Sequence, residues 1–280
     1  MRIGVHSSNL HLMLARSWPG AFADAGPEFV YYEDGRLTSA LLESGAIDFG
    51  GTGSTPPIAA EARGLDVVYI AASAPRPANG AILSAAGGSI ESIADLAGKR
   101  VALVDGSFHN YLLARALENV GLGLGDVEML DVEPADSIPS LLDGRVDGWV
   151  AMAPRLEKAL QRDDLRLLAR SGSLIPNRSL FWSIEARGLD AAARRYIVAE
   201  LARIGRAVEA EPRLAAERLA AVHRSEGDVD AWEQVIRARD FSVFAADGVV
   251  LAEQQAESET LHRHCYLARP LEIGRFAPSA

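Results

Sequence analysis

Short runs of apolar residues alternate with stretches in which apolar side chains recur every three or four positions. Runs of the first kind fall at Arg2–His6, Glu28–Tyr32, Ala46–Gly50, Asp66–Ala72, Ala81–Ala85, Arg100–Val104, Val127–Asp131, Gly148–Ala151 and Ser179–Ile184, and they predict strands. Between them, helical spacing predicts helices at about Leu10–Phe22, Arg36–Ser44, Pro56–Ala62, Ser92–Leu96, Asn110–Asn119, Asp136–Leu142 and Pro154–Gln161. This rhythm predicts an α/β fold. Beyond Gly188 the pattern turns almost wholly helical, at Asp190–Glu211, Pro212–His223, Asp228–Arg237 and Val249–Tyr266. No repeat of fixed period stands out.

Two places look like crossovers between lobes. One is the turn-rich segment Ala74–Gly80 leading into the strand at Ala81, and the other is the end of the strand near Glu185. They predict a bilobed chain in which residues 1–85 and 186–280 form lobe one and 86–185 an inserted lobe two. A small ligand is expected in the cleft between them.

Composition narrows the partners. Hydrophobic residues make up 49% of the 280 positions, enough for a sizeable core, and 28 Lys+Arg against 38 Asp+Glu give a net charge of −10. That balance disfavours nucleic acid, whose phosphates are bound by clustered cations. It leaves room for a small anion, because a helix N-terminus binds one locally whatever the net charge. The longest apolar runs, such as Val67–Ala74, fall far short of the roughly 18 residues a membrane span needs. Met1 leads directly into Arg2-Ile3-Gly4-Val5, which reads as a core strand rather than a signal peptide. Taken literally, this start implies a cytoplasmic protein, the alternative being an export signal trimmed away. The single cysteine, Cys265, makes no internal disulfide. No cofactor and no metal is expected, and the chain is expected to be a monomer.

Two segments carry candidate binding chemistry. Asp48-Phe49-Gly50-Gly51-Thr52-Gly53-Ser54-Thr55-Pro56-Pro57 runs from a strand end into a helix. Its glycines allow close backbone approach and its hydroxyls donate or cap, so it reads either as an anion cradle or as an ordinary capped turn. It lacks the Lys-Ser/Thr ending of a nucleotide P-loop. Asp105-Gly106-Ser107-Phe108-His109-Asn110 has the same form ahead of a helix at Tyr111–Leu117, with capping by Ser107 or Asn110 as the plain alternative. His6-Ser7-Ser8-Asn9 stands at the end of the first strand, where site residues of open α/β sheets gather. His6 there is a donor, a base or a structural hydrogen bonder. No G-x-S-x-G elbow or ordered acid accompanies the two histidines, His6 and His109. His262-Arg263-His264-Cys265 reads as a helix C-terminus rather than a zinc site. Trp149 and Trp182 wall a pocket or pack in the core. Arg36, Arg155 and Arg178 are the candidate cations for a sulfonate, phosphonate or carboxylate.

Taken together, Ala40–Ile58, Ser92–Ala102, Tyr111–Leu117, Val146–Val150 and Ala252–Ala256 resemble the aliphatic sulfonate and taurine binding proteins of ABC importers. These belong to a larger group that includes nitrate binders and pyrimidine-precursor synthases. The resemblance implies a class-two periplasmic-binding-protein fold, an extracytoplasmic location, an ABC permease as partner and a small organic anion as ligand. It implies pocket positions at Ser7, Asn9, Gly53, Ser54, Thr55, Ser107, Phe108, His109 and Trp149. The family usually has a small residue near Ser8, an acid near Ser54, and an aspartate and an aromatic near Ala153 and Arg155, and this chain departs from each. A second expectation is a cytoplasmic enzyme on the same fold, a desulfinase-like protein or another lyase or hydrolase acting on a small aromatic or sulfur-containing acid. His6 or His109 would then be the acid or base, since the first-lobe cysteine that desulfinases look to use is missing, as is the cysteine-rich motif of the pyrimidine-precursor synthases.

Overall fold

The computed structural model describes residues 1–222 and 228–274. Its strands are β1 (Arg2–His6), β2 (Glu28–Tyr32), β3 (Phe49–Thr52), β4 (Val67–Ser73), β5 (Gly80–Ala85), β6 (Arg100–Leu103), β7 (Glu128–Asp131), β8 (Gly148–Met152), β9 (Leu165–Arg170), β10 (Leu180–Ile184) and β11 (Val243–Ala245). Its α-helices are α1 (Leu10–Ser17), α2 (Thr38–Glu43), α3 (Thr55–Ala62), α4 (Phe108–Glu118), α5 (Ser137–Leu142), α6 (Arg155–Ala159), α7 (Ala191–Ala210), α8 (Pro212–Val222), α9 (Val229–Arg237) and α10 (Gly248–Arg263). The expected helix end at His223 lies outside the described residues.

The chain divides into two compact units. Unit 1 comprises Met1–Ala74, Arg178–Ala256 and Leu271–Ala280, and unit 2 comprises Pro75–Asn177 and Glu257–Pro270. The division departs from the expected boundaries at 85 and 185. β5 belongs wholly to unit 2, where it pairs with β8 and β9. β10 belongs to unit 1, where it lies between β3 and β4. The turn-rich segment is thus the crossover itself, and the C-terminal stretch is shared, with Glu257–Pro270 in unit 2.

Unit 1 holds the six-stranded sheet β2-β1-β3-β10-β4-β11. Parallel pairing joins β1 to β2 and to β3, and antiparallel pairing sets β10 against β3 and β4. β4 and β10 are buried on both faces, so they read as continuous apolar runs. Trp182, Leu180, Tyr69, Val67 and Ile47 fill one core cluster. Unit 2 holds the five-stranded sheet β7-β6-β8-β5-β9, with β6 parallel to β7 and β8 and with β5 antiparallel to β8 and β9. Leu112, Leu113, Leu117 and Phe108 of α4 pack over this sheet with Ile82, Val101 and Val150. Two strands absent from the expected set, β9 and β11, lie at sheet edges.

The two sheets share one plan, which no repeat of fixed period in the sequence announces. Five strands follow the same spatial order in each, and the same side-chain staple recurs. In unit 1 the Arg2 backbone N–H donates to Asp48 Oδ2 at 2.7 Å, and its guanidinium reaches Asp48 Oδ1 at 2.6 Å and the Gly45 carbonyl. In unit 2 the Arg100 N–H donates to Asp147 Oδ2 at 3.0 Å, and its guanidinium reaches the same carboxylate and the Gly144 carbonyl at 2.9 Å. Both glycines follow a helix with positive φ, 74° and 68°, where a side chain would be strained. The equivalent residues lie 98 or 99 positions apart. Each staple pins the start of a third strand to the start of the first, leaving the C-terminal strand ends and the loops beyond them for binding.

Candidate functional site

In unit 1 the chain leaves β1 through a tight turn, closed by Asn9 N–H donating to the His6 carbonyl at 3.1 Å, and enters α1. Asn9 is the N-cap, and its Oδ1 accepts from Leu12 N–H at 3.1 Å. Its Nδ2 is buried and has no hydrogen-bond partner among the described residues. This nitrogen lies against Gly51 of β3. A Cβ on Gly51 would stand 2.6 Å from Nδ2 and 2.9 Å from both Leu12 and Phe181, so the bare backbone there makes room for the amide.

The segment after β3 is organised by its hydroxyls. Thr52 Oγ1 donates to the Gly53 carbonyl at 2.8 Å and accepts from Trp182 Nε1–H at 3.0 Å, so Trp182 is a core residue with a satisfied indole. Ser54 is the N-cap of α3, yet its side chain makes no capping bond, and Thr55 opens the helix almost fully buried. The helix begins at Thr55 and not after the prolines, so Pro56 and Pro57 occupy its first turn. Two of the N–H groups that would otherwise stand free at a helix start are therefore missing.

His6 is buried, with Nδ1 accepting from Ser8 N–H at 3.3 Å and its ring 5.9 Å from that of Tyr32. Ser7 Oγ donates to the Glu33 carbonyl at 3.2 Å. Arg36 is held by Asp34, through Nε to Oδ2 at 2.7 Å. Arg178, one of the three candidate cations, is engaged by protein groups. It forms a bidentate pair with Glu253, at 2.6 and 3.0 Å, donates to the Ser73 carbonyl at 3.0 Å, and stacks 5.4 Å over Phe244. With the whole guanidinium so engaged, it ties α10 to the β4 end inside unit 1.

In unit 2 the same turn follows β6. Ser107 caps α4, with Oγ accepting from His109 N–H at 3.2 Å and donating to the Val104 carbonyl at 2.6 Å. Asn110 accepts from Gly106 N–H and donates to Asp105 Oδ1, which also accepts from Tyr266 OH at 2.9 Å. The helix starts at Phe108, earlier than expected, which places His109 in its first turn. His109 is 2% exposed, and its Nδ1 accepts from Val104 N–H at 3.1 Å. Burial pushes its pKa down to about 3, so the imidazole is neutral at physiological pH. Trp149 sits in the core cluster with Leu83, Leu141 and Leu156 and is 3% exposed. Arg155 opens α6, a five-residue helix.

Among the described residues no cluster of three or more His, Cys, Asp or Glu could hold a metal ion. His264 is engaged by Glu118 at 3.1 Å and by Leu124 N–H at 3.2 Å. No helix among the described residues is long and apolar enough to cross a membrane.

Two α/β units, each with a capped helix start beyond a parallel strand, define the fold class of periplasmic solute-binding proteins, and comparison with solved structures agrees. The structure of the periplasmic aliphatic sulphonate binding protein of Escherichia coli matches with a TM-score of 0.86 at 25% identity, covering 98% of this chain and 95% of that one. The alkanesulfonate-binding protein of Xanthomonas axonopodis pv. citri, solved bound to MOPS, also matches with a TM-score of 0.86, at 26% identity over 100% of this chain and 98% of that one. Residues 18–171 match the family described as NMT1/THI5 like, and the chain belongs to that family. Among curated relatives, an aliphatic sulfonates-binding protein of Escherichia coli is 34% identical over 171 residues, 60% of this chain. The match spans about half the length of such relatives, 54% in that case.

Proposed function

We propose that this protein is a solute-binding protein that takes up a small organic anion, foremost an aliphatic sulfonate, outside the cytoplasmic membrane and delivers it to an ABC-type permease. The observation that carries this reading is the buried Asn9 Nδ2 without an acceptor, set against Gly51. A buried N–H left unpaired costs about 1–3 kcal/mol, a cost that a bound acceptor removes. The group that suits such a donor accepts hydrogen bonds and offers none, and a sulfonate has three acceptor oxygens and no proton. A monoprotonated phosphonate brings an O–H that needs an acceptor of its own. In this reading Ser54, whose side chain makes no capping bond, supplies a further donor, and the printed names of the relatives support the ligand class. The enzyme alternative gains no support from the two histidines, because His6 and His109 are both buried with Nδ1 turned to a backbone amide.

Calorimetric titration with ethanesulfonate, taurine, MOPS, propionate and methylphosphonate tests the proposal, followed by mass analysis of the recovered ligand. Saturable binding of at least one sulfonate, recovered intact, is the expected result. Asn9→Asp keeps the capping oxygen but replaces the donor with a charged acceptor, and it is expected to weaken sulfonate binding by roughly 100-fold or more. Absence of saturable heat with every sulfonate counts against the reading, and a product of new mass favours the enzyme.

A further inference from the structure

The turn that joins β3 to α3 carries hydrogen bonds whose direction is fixed from the core outward. An indole nitrogen only donates, so the 3.0 Å bond from Trp182 Nε1–H uses Thr52 Oγ1 as its acceptor. The single hydroxyl proton of Thr52 goes on to the Gly53 carbonyl at 2.8 Å. That carbonyl shares a planar trans peptide with the Ser54 N–H, and in such a peptide the two groups point in opposite directions. With the carbonyl turned back to Thr52, the Ser54 N–H faces away from it. Ser54 is the N-cap of α3, so no intrahelical bond uses this N–H, and its side chain makes no capping bond either. Indole, hydroxyl and peptide thus lie head to tail, each with its positive end toward Ser54.

The sheet places these groups and keeps water from them. Trp182 on β10 pairs with Gly50 on β3, and Thr52 is its diagonal neighbour two residues along the same face. Trp182 is fully buried, Thr52 is 2% exposed and Ser54 7%. In such surroundings hydrogen bonds in series polarise one another, by about 10–30% per bond. A threonine hydroxyl without a fixed donor rotates to suit its neighbours. The indole removes that freedom here, which gives Trp182 a use beyond filling the core.

We infer that Trp182 is a positioning residue for anion binding: acting through Thr52, its indole holds the Gly53–Ser54 peptide so that the Ser54 N–H is presented to the bound organic anion. This role rests on the proposed solute-binding function and deepens it. All the groups belong to unit 1, as does Asn9. The aligned dipoles give the anion a polarised donor without a cation, and Trp182 itself touches no ligand.

The test uses the wild-type chain labelled with nitrogen-15 at tryptophan, titrated with ethanesulfonate, taurine and MOPS. On saturation with whichever sulfonate binds, the Trp182 Hε1 resonance is expected to move downfield, because an anion at Ser54 strengthens each bond behind it. By calorimetry two variants are each expected to weaken that ligand by ~3- to ~10-fold, the range for one neutral hydrogen bond. They are Trp182→Phe, which keeps a buried ring and removes the donor, and Thr52→Val, which keeps the shape and removes the hydroxyl. Thr52→Ser, which restores the hydroxyl, is expected to recover most of the loss. Because the two side chains act as one relay, the double variant Trp182→Phe/Thr52→Val is expected to bind no more than about twofold worse than the weaker single variant. A Trp182 that only packs would give losses that multiply and an indole resonance that stays put. With a sulfonate bound by the wild type, either of those results, or wild-type affinity in Thr52→Val, overturns the inference and leaves the solute-binding reading standing. A wild-type protein that binds none of the three overturns both. The resonance measurement needs no variant, so a Trp182→Phe chain that fails to fold does not shelter the inference.

Discussion

Gly51 shows how much of the site is decided by a missing side chain. Asn9 Nδ2, Leu12 and Phe181 all stand within 3 Å of where its Cβ would be. Gly51→Ala is expected to lower stability by about 1–3 kcal/mol through overpacking and to weaken ligand binding by displacing the Asn9 amide. Denaturant unfolding beside calorimetry reads both effects. Arg178 makes the opposite case. Its bonds all go to protein, so Arg178→Met is expected to cost about 1–3 kcal/mol of stability while sulfonate affinity stays within a factor of two of wild type. A large affinity loss without destabilisation would return Arg178 to the ligand. Sequence position told that Arg178 was a cation near a strand, but its partner Glu253 lies 75 residues on, beyond any local pattern. Asn9 was legible as a residue at a strand end, since Asn is a preferred cap. That its amide would be left without an acceptor was not, because the packing of Gly51 and Phe181 around it is set by the sheet.

Among the elements, the Arg–Asp–Gly staples are where acidity acts. Burial works against ionisation of Asp48 and Asp147. Hydrogen bonds from the arginine backbone and guanidinium, with the charge beside them, outweigh it and hold both carboxyls below their ordinary value of 3.8. A carboxyl depressed in the folded state lends stability above its unfolded pKa and loses it as pH falls through the folded one. Thermal unfolding is therefore expected to be insensitive to these groups above about pH 5 and to weaken below 3.8, and Asp48→Asn or Asp147→Asn should flatten that acid limb. Most strands and helices were legible from period alone, because β4, β6, β8 and β10 are buried and α4 and α7 are amphipathic. The misses lie at edges. Leu165-Arg-Leu-Leu-Ala-Arg is made of good helix formers and is half-buried, so β9 exists by pairing with β5 and not by propensity. β11 has three residues, too few to carry a period. The repeat escaped notice because it survives in strand order and in three staple residues per unit, with most other positions changed.

For the molecule as a whole, the net charge of −10 and the proposed anionic ligand repel one another at a distance. Short-range donors then have to act against a repulsive field that salt removes. The association rate for a sulfonate, followed by stopped-flow tryptophan fluorescence, is expected to rise between about 0.01 M and 0.15 M salt, over which the Debye length shrinks from roughly 30 to 8 Å. A rate that falls with salt would mean an attractive local field, and Arg36 and Arg155 would be the cations to examine. The turn-rich segment and a return near residue 185 pointed to two units, and the chain divides into two, with the return at Arg178. The exact partition was not legible, since it depends on which sheet β5 and β10 join and on Glu257–Pro270 packing in unit 2.

Cys265 stands exposed just past the end of α10, in a left-handed conformation with φ of 58°, and it is the sole cysteine of the 280 residues. A thiol with no internal counterpart has only foreign partners in an oxidising compartment: a small thiol, or the same atom on another chain. Purified without a reductant, the protein would accumulate covalent pairs joined at one point. The same chemistry makes the position a ready handle, at which a maleimide dye or a solid support couples once per molecule with no engineering of the sequence.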